Sequence, residues 1–524
     1  LAAGDTQFFE IVRGKPCISW VLSELNPAHK NIIVVRSIDQ RLIHFLSTSQ
    51  FSSFNIELRF CDGGAYGAKI LNSLDEALVA ADTDLPTRVI LGDTFIKYDD
   101  PVALDCLVTS RTVRDSSNWC IVRKGENANV VDILDKKEKS MTEDMAALVG
   151  YYTFSNTRSL QLATMNALAA GKSEISHCLS RYHELHPLSV IQCSEWFDFG
   201  HVSGLVNARL ALFNARDFNR ISVDPHKGTI TKYSTNKQKL LDEVYWYEAL
   251  PQPLEVLAPR VVGVENTEKF VSVEMELFGY SNLAEKFVYG EDSAEDWTYI
   301  LERLFAQHKM LESYSQLTDH EALDFIYREK TKTRLDEIQS SEELNFLTQP
   351  DHLCLNGETI LNLPLLLSLI DKIVDELCAY RGDFSIVHGD YCYSNILFDE
   401  KHFIFRLIDP RGRFKEATIY GDPRYDLAKI RHSAVGLYDY IVLGMYSLKS
   451  AESTSFDLEI FADIDLRIIE SYFDQLVVMQ GFDPSEIKKV EAMLFLTMIP
   501  LHGDDLKRQT ALYLTAIKKL NELL

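Results

Sequence analysis

Three polar side chains suited to phosphoryl transfer lie within one short stretch of the chain. Asp390 follows His388-Gly389, Asn395 comes five residues later, and Asp409 follows a short hairpin. Phosphoryl transfer needs a group that orients the attacking hydroxyl and oxygen ligands that hold Mg²⁺ against the phosphates. We therefore predict that Asp390 accepts the hydroxyl proton and that Asn395 and Asp409 bind the metal. A β-hairpin whose Asp and Asn residues only cap turns is the alternative interpretation.

Apolar runs on both sides of these residues predict the strands that position them. One run (Phe384, Ile386, Val387) leads into the loop, residues 396–398 leave it, and Phe405 to Ile408 deliver Asp409. The stretch HGDYCYSN and the later LID resemble the H-G-D-x-x-x-x-N loop and the I-D strand end of the aminoglycoside phosphotransferase and choline kinase-like family. The resemblance implies a bilobal, α+β, protein kinase-like domain that uses ATP and Mg²⁺.

An upstream pair of charges fits the same family. Lys232 lies in a predicted strand, and Glu243 follows eleven residues later in a predicted helix. The resemblance makes them the pair that orients the nucleotide phosphates. A solvated edge-strand Lys and a surface Glu are the alternatives, and the neighbouring Asp242 leaves the helix register open. The segment Met275–Gly279 is similar to the family's hinge, so Glu276 is predicted to lie at the nucleotide.

Charged residues downstream of Asp409 have two possible roles. Asp426, in the family-like stretch GDPRYDLA, is predicted to be a structural anchor that caps a helix and binds the loop backbone. Arg411, Arg413 and Arg424 add positive charge near the predicted site. They either bind a phosphate or carboxylate on the acceptor or pair with neighbouring carboxylates.

The bulk composition is that of a two-domain globular protein. The chain has 524 residues, with 53 Lys and Arg against 77 Asp and Glu, a formal net charge of −24. This charge disfavours nonspecific binding to nucleic acid or anionic lipid. The nine cysteines form no CxxC pair, and no apolar run approaches a membrane span. We expect a cytoplasmic protein without a signal peptide. The chain begins at Leu1 without Met, and whether residues precede it is left open.

The first two hundred residues alternate between predicted strands and helices, which indicates a doubly wound, mostly parallel sheet. Ligands bind at the carboxyl ends of such strands, where we expect the segments LAAG, GGAYGA and LGDT. Together these segments resemble the sugar-phosphate nucleotidyltransferase superfamily. The resemblance implies that Gly4 and Gly64 bind a nucleotide and that Asp93 and Asp198 bind Mg²⁺. Strand-end turn carboxylates are the alternative for the two aspartates.

The first glycine loop departs from that superfamily. The superfamily has G-x-G-T-R, whereas Gly4 is followed by Asp5-Thr6-Gln7, without a second glycine or a matching arginine. The nearby cations are Arg13 and Lys15. The group that would stabilise a departing pyrophosphate is therefore not identified.

We divide the chain into a nucleotidyltransferase-like domain (1–218) and a kinase-like domain (219–524), the latter with an N-lobe at 219–280 and a C-lobe at 281–524. Helical periodicity dominates the C-lobe, over residues 293–343, 364–380 and 465–524, with breaks at Pro484 and Pro500. The N-terminal domain is predicted to be α/β and the C-terminal domain α+β.

These observations favour a bifunctional enzyme. It would phosphorylate a small hydroxylated metabolite, a sugar or amino alcohol, with ATP and Mg²⁺. It would then transfer a nucleotidyl group from a second NTP (CTP, UTP or GTP) to the product. The arrangement resembles proteins of bacterial capsule and surface-polysaccharide assembly. Expected partners are nucleotides and the small acceptor, with no nucleic acid and no membrane insertion. The acceptor, the base and the oligomeric state are left open.

Two other functions compete with this interpretation. In the first, only the kinase is active and the N-terminal domain is a degenerate nucleotide-binding or regulatory module. In the second, the protein is a non-enzymatic scaffold with a pseudokinase lobe, an interpretation that the intact Asp390, Asn395 and Asp409 disfavour.

Overall fold

The computed structural model describes residues 9–12, 15–35, 40–48, 50–51, 53–61, 69–98, 102–113, 119–135, 141–201, 204, 208, 219–224, 226–452 and 454–524. The chain divides into two units. Unit 1 comprises Leu1–Ile43 and Ser53–Leu212, and unit 2 comprises His44–Ser52 and Phe213–Leu524. The sequence places the domain boundary nearby, between residues 218 and 219.

Unit 1 contains short strands and five helices among its described residues. The strands are β1 (Ile11–Val12), β2 (Lys15–Pro16), β3 (Lys30–Val35), β4 (Asn55–Phe60), β5 (Thr87–Ile90), β6 (Thr94–Lys97), β7 (Cys106–Ser110), β8 (Cys120–Lys124), β9 (Val130–Asp135), β10 (Met145–Phe154), β11 (Ser189–Gln192) and β12 (Glu195–Asp198). The helices are α1 (Cys17–Leu22), α2 (Gln40–Ser47, which ends in unit 2), α3 (Ile70–Ala80), α4 (Thr157–Ala169) and α5 (Ile175–His183).

The main sheet of unit 1 is largely antiparallel, so the prediction of a doubly wound, mostly parallel sheet is wrong. The strand order is β11-β7-β10-β8-β9, and β5 also pairs with β10. Only β11 and β7 run parallel in this sheet, while a separate two-stranded sheet pairs β3 with β4 in parallel. Parallel neighbours need a long crossover, usually a helix, and the described residues between β7 and β10 form no α-helix.

The sequence pattern suggested parallel strands because β10 is buried at all ten positions and therefore reads as one apolar run. Helices α3, α4 and α5 cover one face of the sheet, and β6 and β12 pack on the other. An antiparallel strand that is covered on both faces shows the uninterrupted apolar run that usually marks a parallel strand.

Unit 2 begins with a small sheet and continues with mostly helical structure. Its strands are β13 (Asn219–Asp224), β14 (Thr229–Ser234), β15 (Val261–Asn266), β16 (Val271–Glu276), β17 (Ser281–Asn282), β18 (Ser315–Gln316), β19 (His352–Leu355), β20 (Glu358–Leu361), β21 (Phe384–Ile386), β22 (Ile396–Asp399), β23 (Ile404–Leu407), β24 (Arg413–Phe414), β25 (Glu416–Ala417), β26 (Tyr420–Gly421), β27 (Tyr446–Glu452) and β28 (Ser455–Ile460). Its helices are α6 (Lys237–Ala249), α7 (Leu283–Tyr289), α8 (Ala294–Glu312), α9 (His320–Leu323), α10 (Lys330–Ser340), α11 (Asn345–Thr348), α12 (Leu363–Cys378), α13 (Pro423–Ala434), α14 (Tyr438–Val442), α15 (Leu466–Met479), α16 (Pro484–Met498) and α17 (Leu506–Asn521).

The first part of unit 2 is an antiparallel sheet of order β13-β14-β16-β15 with α6 packed against it. Helix α6 begins where the side chain of Asn236 accepts a hydrogen bond from the backbone N–H of Lys239, an N-cap that satisfies an otherwise unpaired donor. The sheet carries Lys232 on β14, and the helix carries Glu243.

Helix α13 forms the centre of the helical part of unit 2. All twelve of its residues are buried, and it packs against α16. Asp422 caps it, and Pro423 occupies its first turn, where a missing N–H costs nothing. Breaks occur near both predicted prolines: α16 starts at Pro484, and a 3₁₀ turn contains Pro500. None of the described helices is long and apolar enough to cross a membrane.

A four-stranded sheet of order β20-β19-β28-β27 was not predicted, because the helical pattern of the C-lobe dominated the interpretation. The sequence carried a signal for half of it. Asn356-Gly357 joins β19 to β20 with positive φ angles of 54° and 81°, and Asn-Gly between two apolar runs is a strong hairpin signal.

Candidate active site

The loop that follows β21 is bound through its backbone by Asp426 on α13. Its fully buried carboxylate accepts the backbone N–H groups of His388 at 2.6 Å and Gly389 at 2.8 Å. Gly389 has a φ of 77°, and a Cβ there would lie 2.7 Å from Arg411 Cβ. This position therefore requires glycine. Burial raises the pKa of Asp426 to about 7, against its two hydrogen bonds. Asp426 therefore binds the loop backbone as predicted, but the predicted cap of the helix is wrong, because Asp422 occupies that position.

His388 connects the loop to the strand that precedes Asp409. Its Nε2 lies 3.0 Å from the carbonyl oxygen of Ile408, and its Nδ1 accepts the backbone N–H of Asp390 at 3.2 Å. These two bonds fit a neutral ring protonated at Nε2. Burial lowers the pKa of His388 to about 4, so the ring remains neutral at physiological pH and orients the loop.

Asp390 projects from this loop with its side chain 37% exposed. The ammonium of Lys429 lies 2.8 Å from Asp390 Oδ1, and Asn395 Nδ2 donates to Asp390 Oδ2 at 3.0 Å. Burial alone would raise the pKa of Asp390, but Lys429 and then Arg411 outweigh it and hold that pKa below its usual range. Asp390 is thus an ionised, oriented hydrogen-bond acceptor.

Lys429 is a site residue that the sequence analysis missed. It is buried on α13, with only 2% of its side chain exposed. It follows Asp426 by three residues, and residues three apart share one face of a helix. An aspartate that is expected to anchor the loop therefore implied that the side chain three positions later also faces the loop.

Lys232 connects the first sheet of unit 2 to Asp409, which follows the β22–β23 hairpin. Its Nζ lies 2.7 Å from Glu243 Oε1 and also binds Asp409 Oδ1. Burial would lower the pKa of Lys232, but the charges of Asp409 and Glu243 raise it above its usual range. Tyr247 completes the network, because its hydroxyl donates to Glu243 at 3.1 Å and accepts the backbone N–H of Asp409 at 3.1 Å.

The structure shows which of the two neighbouring acidic residues on α6, Asp242 or Glu243, faces Lys232. Asp242 forms a two-pronged ion pair with Arg413, with distances of 2.8 and 3.0 Å. Gly412 packs directly on the backbone of Asp242, where a Cβ would lie within van der Waals radius of its carbonyl oxygen. Asp242 and Glu243 therefore bind different partners, and Glu243 is the one that pairs with Lys232.

Two of the three arginines of the sequence analysis pair with carboxylates, and the third does not among the described residues. Arg413 pairs with Asp242, and Arg424 forms a buried ion pair with Asp422 at 2.7 Å. Arg411 forms no ion pair with a carboxylate among the described residues. It donates instead to the Tyr425 hydroxyl at 3.3 Å.

Asn395 and Asp409 lie side by side at the open end of the β22–β23 hairpin. The backbone N–H of Ile408 donates to the carbonyl oxygen of Asn395 at 3.0 Å. The amide nitrogen of Asn395 is engaged by Asp390, which leaves its amide oxygen as the available ligand atom. Asp409 is half exposed and uses one oxygen for Lys232. These donors suit Mg²⁺, which takes one or two protein oxygens and completes its shell with phosphate and water.

No group of three His, Cys, Asp or Glu side chains that could hold a metal occurs in the described part of the chain. The predicted nucleotide residue Glu276 ends β16, where its backbone N–H donates to the carbonyl oxygen of Arg260 at 3.0 Å.

In unit 1, Asp93 and Asp198 converge on Gly200. A Cβ at Gly200 would lie 2.7 Å from Asp93 Oδ2 and 3.1 Å from Asp198 Oδ1. Asp198 also binds His201 Nδ1 at 2.7 Å, and burial raises the pKa of Asp198 despite this partner. The glycines predicted to bind a nucleotide here, residues 4 and 64, lie outside the described residues.

No protein-family model matches this sequence, and neither does any curated protein sequence. Solved structures align with it at low identity. A chain from Haemophilus somnus 129PT described as a fructosamine-3-kinase aligns at 14% identity and a TM-score of 0.36, over 58% of this chain and 88% of that chain. A thermostable mutant of aminoglycoside phosphotransferase APH(4)-Ia gives 10% identity and 0.37, over 59% and 92%. A GDP complex of aminoglycoside 2′-phosphotransferase IIIa gives 11% and 0.36, over 59% and 89%.

TM-scores of this size carry no argument for the fold. The interpretation of unit 2 therefore depends on its own geometry, in which a strand lysine, a helix glutamate and a loop with aspartate, asparagine and aspartate meet.

Proposed function

We propose that unit 2 transfers the γ-phosphoryl group of ATP to a hydroxyl group of a small metabolite. The observation that carries this proposal is the ion pair of Lys232 with Glu243 and Asp409, next to a loop that presents an ionised Asp390. A lysine and glutamate paired in this way suit the orientation of nucleotide phosphates. The anchored loop suits the orientation of an acceptor.

Each protein group has a defined task in this reaction. Asp390 accepts a hydrogen bond from the acceptor hydroxyl and so aims its oxygen at the γ-phosphorus. A new oxygen–phosphorus bond forms as the bond between the γ-phosphorus and the β–γ bridging oxygen breaks, and ADP leaves. The hydroxyl proton passes to Asp390. Because the pKa of Asp390 is depressed, we expect this proton transfer to be late, as a loose transition state permits.

The metal and the nucleotide have natural positions at the other end of the site. Asn395 and Asp409 would hold Mg²⁺, whose charge would neutralise the phosphate oxygens. Lys232 would bind the phosphates of ATP, while Glu243 keeps the lysine in place. Glu276, at the end of β16, would lie beside the adenine as the sequence predicts.

The test is a transfer assay with γ-labelled ATP and Mg²⁺ against a panel of sugars, polyols and amino alcohols, with products identified by mass. We expect Asp390→Asn to lower kcat about 1000-fold, the scale of a lost general base. The matched control is Asp371→Asn, an exposed carboxylate on α12, which should leave turnover unchanged. Equal turnover of the Asp390 variant and the wild type would refute the proposal and favour the scaffold interpretation.

Nucleotidyl transfer by unit 1 is a second candidate function, which the convergence of Asp93 and Asp198 favours. Two carboxylates at one point could hold Mg²⁺ against an α-phosphate. In that case the kinase product would become an NDP- or CDP-activated metabolite. A role in surface-polysaccharide precursor synthesis stays a prediction from resemblance.

The assay for this second function combines CTP, UTP or GTP with sugar phosphates and inorganic pyrophosphatase. Phosphate release that depends on one nucleotide and one sugar phosphate, and that Asp93→Asn abolishes, would support it. Absence of release with every pair would favour the alternative in which unit 1 is a degenerate nucleotide-binding or regulatory module.

A further inference from the structure

A second group of cations lies beside the Asp390 loop, on the side of the helical part of unit 2. The hydroxyl of the buried Tyr425 is its centre. Lys330 Nζ approaches this hydroxyl at 3.2 Å, and Arg411 Nη1 approaches it at 3.3 Å. Both charges also lie near the face of the tyrosine ring, 5.8 and 5.6 Å from its centroid. Two cations therefore converge on one phenolic oxygen.

This group carries more positive charge than the neighbouring carboxylates neutralise. Within the described ranges, neither Lys330 nor Arg411 forms an ion pair with a carboxylate. The carboxylates that act on Arg411 are Asp390, which already pairs with Lys429 at 2.8 Å, and Asp426, which already accepts two backbone N–H groups. Lys330 and Arg411 are half-buried, and holding like charges together partly out of water without a carboxylate partner is costly, which is a reason to expect a ligand.

The titration behaviour of the group agrees with this charge surplus. Burial would raise the pKa of the Tyr425 phenol, but the cations, Arg411 foremost, outweigh burial and lower it to about 7. Burial and then the charge of Arg411 lower the pKa of Lys330 to about 8. An anion bound between Lys330 and Arg411 would relieve both effects.

The backbone that presents Lys330 is irregular. A π-helical segment, Asp324–Glu329, ends directly before it. Such segments are rare and occur often at functional sites. Tyr327 holds this segment in place, because its hydroxyl donates a hydrogen bond of 2.9 Å to the carboxylate of Asp422, which also caps α13. Lys330 is thus held against the site by its own local structure.

We propose that Lys330 and Arg411 bind an oxyanion on the acceptor, so that the metabolite phosphorylated at Asp390 carries a carboxylate or a phosphate. This inference rests on the proposed kinase function and narrows its substrate class. A guanidinium and an ammonium that converge on one point suit the oxygens of either group. The nucleotide phosphates have their own cation, Lys232, and the predicted metal at Asn395 and Asp409.

The experiment compares acceptors that differ in charge but have a similar set of hydroxyls. D-gluconate is paired with D-sorbitol to test a carboxylate, and glucose 6-phosphate is paired with glucose to test a phosphate. We expect kcat/KM for at least one acid to exceed that of its neutral counterpart about 100-fold, the scale of charge-assisted hydrogen bonds. The full chain with ATP and Mg²⁺ is used throughout.

Two variants and one control connect that preference to this group. Lys330→Gln and Arg411→Gln should each raise KM for the acidic acceptor about 10-fold or more and change KM for ATP less than about twofold. Lys332→Gln, an exposed lysine on the same helix, should change neither constant. A rise in KM for ATP alone would overturn the inference, because the group would then serve the transferred phosphoryl.

Binding is measured separately by titration calorimetry of the four acceptors into the protein, with and without AMP-PNP and Mg²⁺. Stronger binding of an acid than of its neutral partner, lost in Lys330→Gln, supports the inference even without turnover. Asp390-dependent phosphorylation of sorbitol or glucose at rates equal to the acids would overturn it and leave the kinase proposal intact. If ATP is not consumed with any acceptor, the kinase proposal fails, and absent binding of both acids overturns the inference.

Discussion

Two sets of half-buried cationic side chains lie around the Asp390 loop, and they differ in how their charge is balanced. Lys232 is enclosed by Glu243 and Asp409, so the protein itself supplies the counter-charge. Lys330 and Arg411 both contact the Tyr425 hydroxyl, and neither forms an ion pair with a carboxylate of the described residues. The first group has carboxylate partners within the protein, whereas the second has two cations around one phenol and no carboxylate partner among the described residues. This difference fits the two proposed roles, in which Lys232 is held in place to orient the nucleotide phosphates and Lys330 and Arg411 bind an anionic acceptor.

The largest effect is expected at the balanced group. Lys232→Met would leave Glu243 and Asp409 close together without their cation, and breaking a buried ion pair on one side costs about 3 kcal/mol or more. We expect kcat/KM to fall at least about 100-fold, as for loss of one preorganised phosphate donor. Urea unfolding and steady-state kinetics measure the two effects. Unchanged stability would remove the proposed distinction between the groups.

An intermediate effect concerns two tyrosines that the groups shift in opposite directions. Burial and the charges of Glu243 and Asp409 raise the pKa of Tyr247 well above its usual range, while the pKa of Tyr425 is lowered to about 7. Because an unfolded tyrosine titrates near 10, the unfolded state binds more protons at Tyr425 between about pH 7 and 10. Its contribution to stability therefore rises over that range and is lost as the pH falls through about 7.

Tyrosinate absorbance measures this shift directly. The absorbance of tyrosinate is recorded against pH for the wild type and for Tyr425→Phe. The difference between the two curves should show one phenol that ionises near pH 7. Lys330→Gln should move that titration upward, because it removes one of the charges that stabilise the phenolate. A difference curve centred near pH 10 would show that the cations around Tyr425 are balanced after all.

The smallest effect is expected for the stability of Lys330→Gln. This change removes a charge that has no carboxylate partner among the described residues and that faces Arg411. We expect the free energy of unfolding to change by no more than about 0.5 kcal/mol, or to increase. Chemical denaturation beside Lys232→Met gives the comparison. A loss as large as that of the Lys232 variant would mean that Lys330 has a structural partner.

The sequence predicts the site best where the spacing is local. Strand β14, helix α6 and the β22–β23 hairpin form at the predicted places. Lys232 meets Glu243 because the segment between them is short, and Asp426 reaches the loop as an anchor. The assignment of chemical roles to these residues stays a prediction until the variants are measured.

The sequence predicts less where contacts join distant segments. Lys330 and Lys429 reach the site from α10 and α13, and no fixed spacing relates either to Asp390. The sheet of unit 1 is mostly antiparallel because apolar runs report burial rather than strand direction. The sheet β20-β19-β28-β27 joins segments about a hundred residues apart, which a local pattern does not reveal.

The contact of Gly412 with the backbone of Asp242 has a mechanical consequence. Together with the adjacent pair of Arg413 and Asp242, it fastens α6 to the segment that follows Asp409. A swing of α6 that separated Glu243 from Lys232 would have to pull this segment along. Helix α6 and this segment are therefore expected to move together as one unit. A larger side chain at position 412 would push the backbone of Asp242 away and so separate the two.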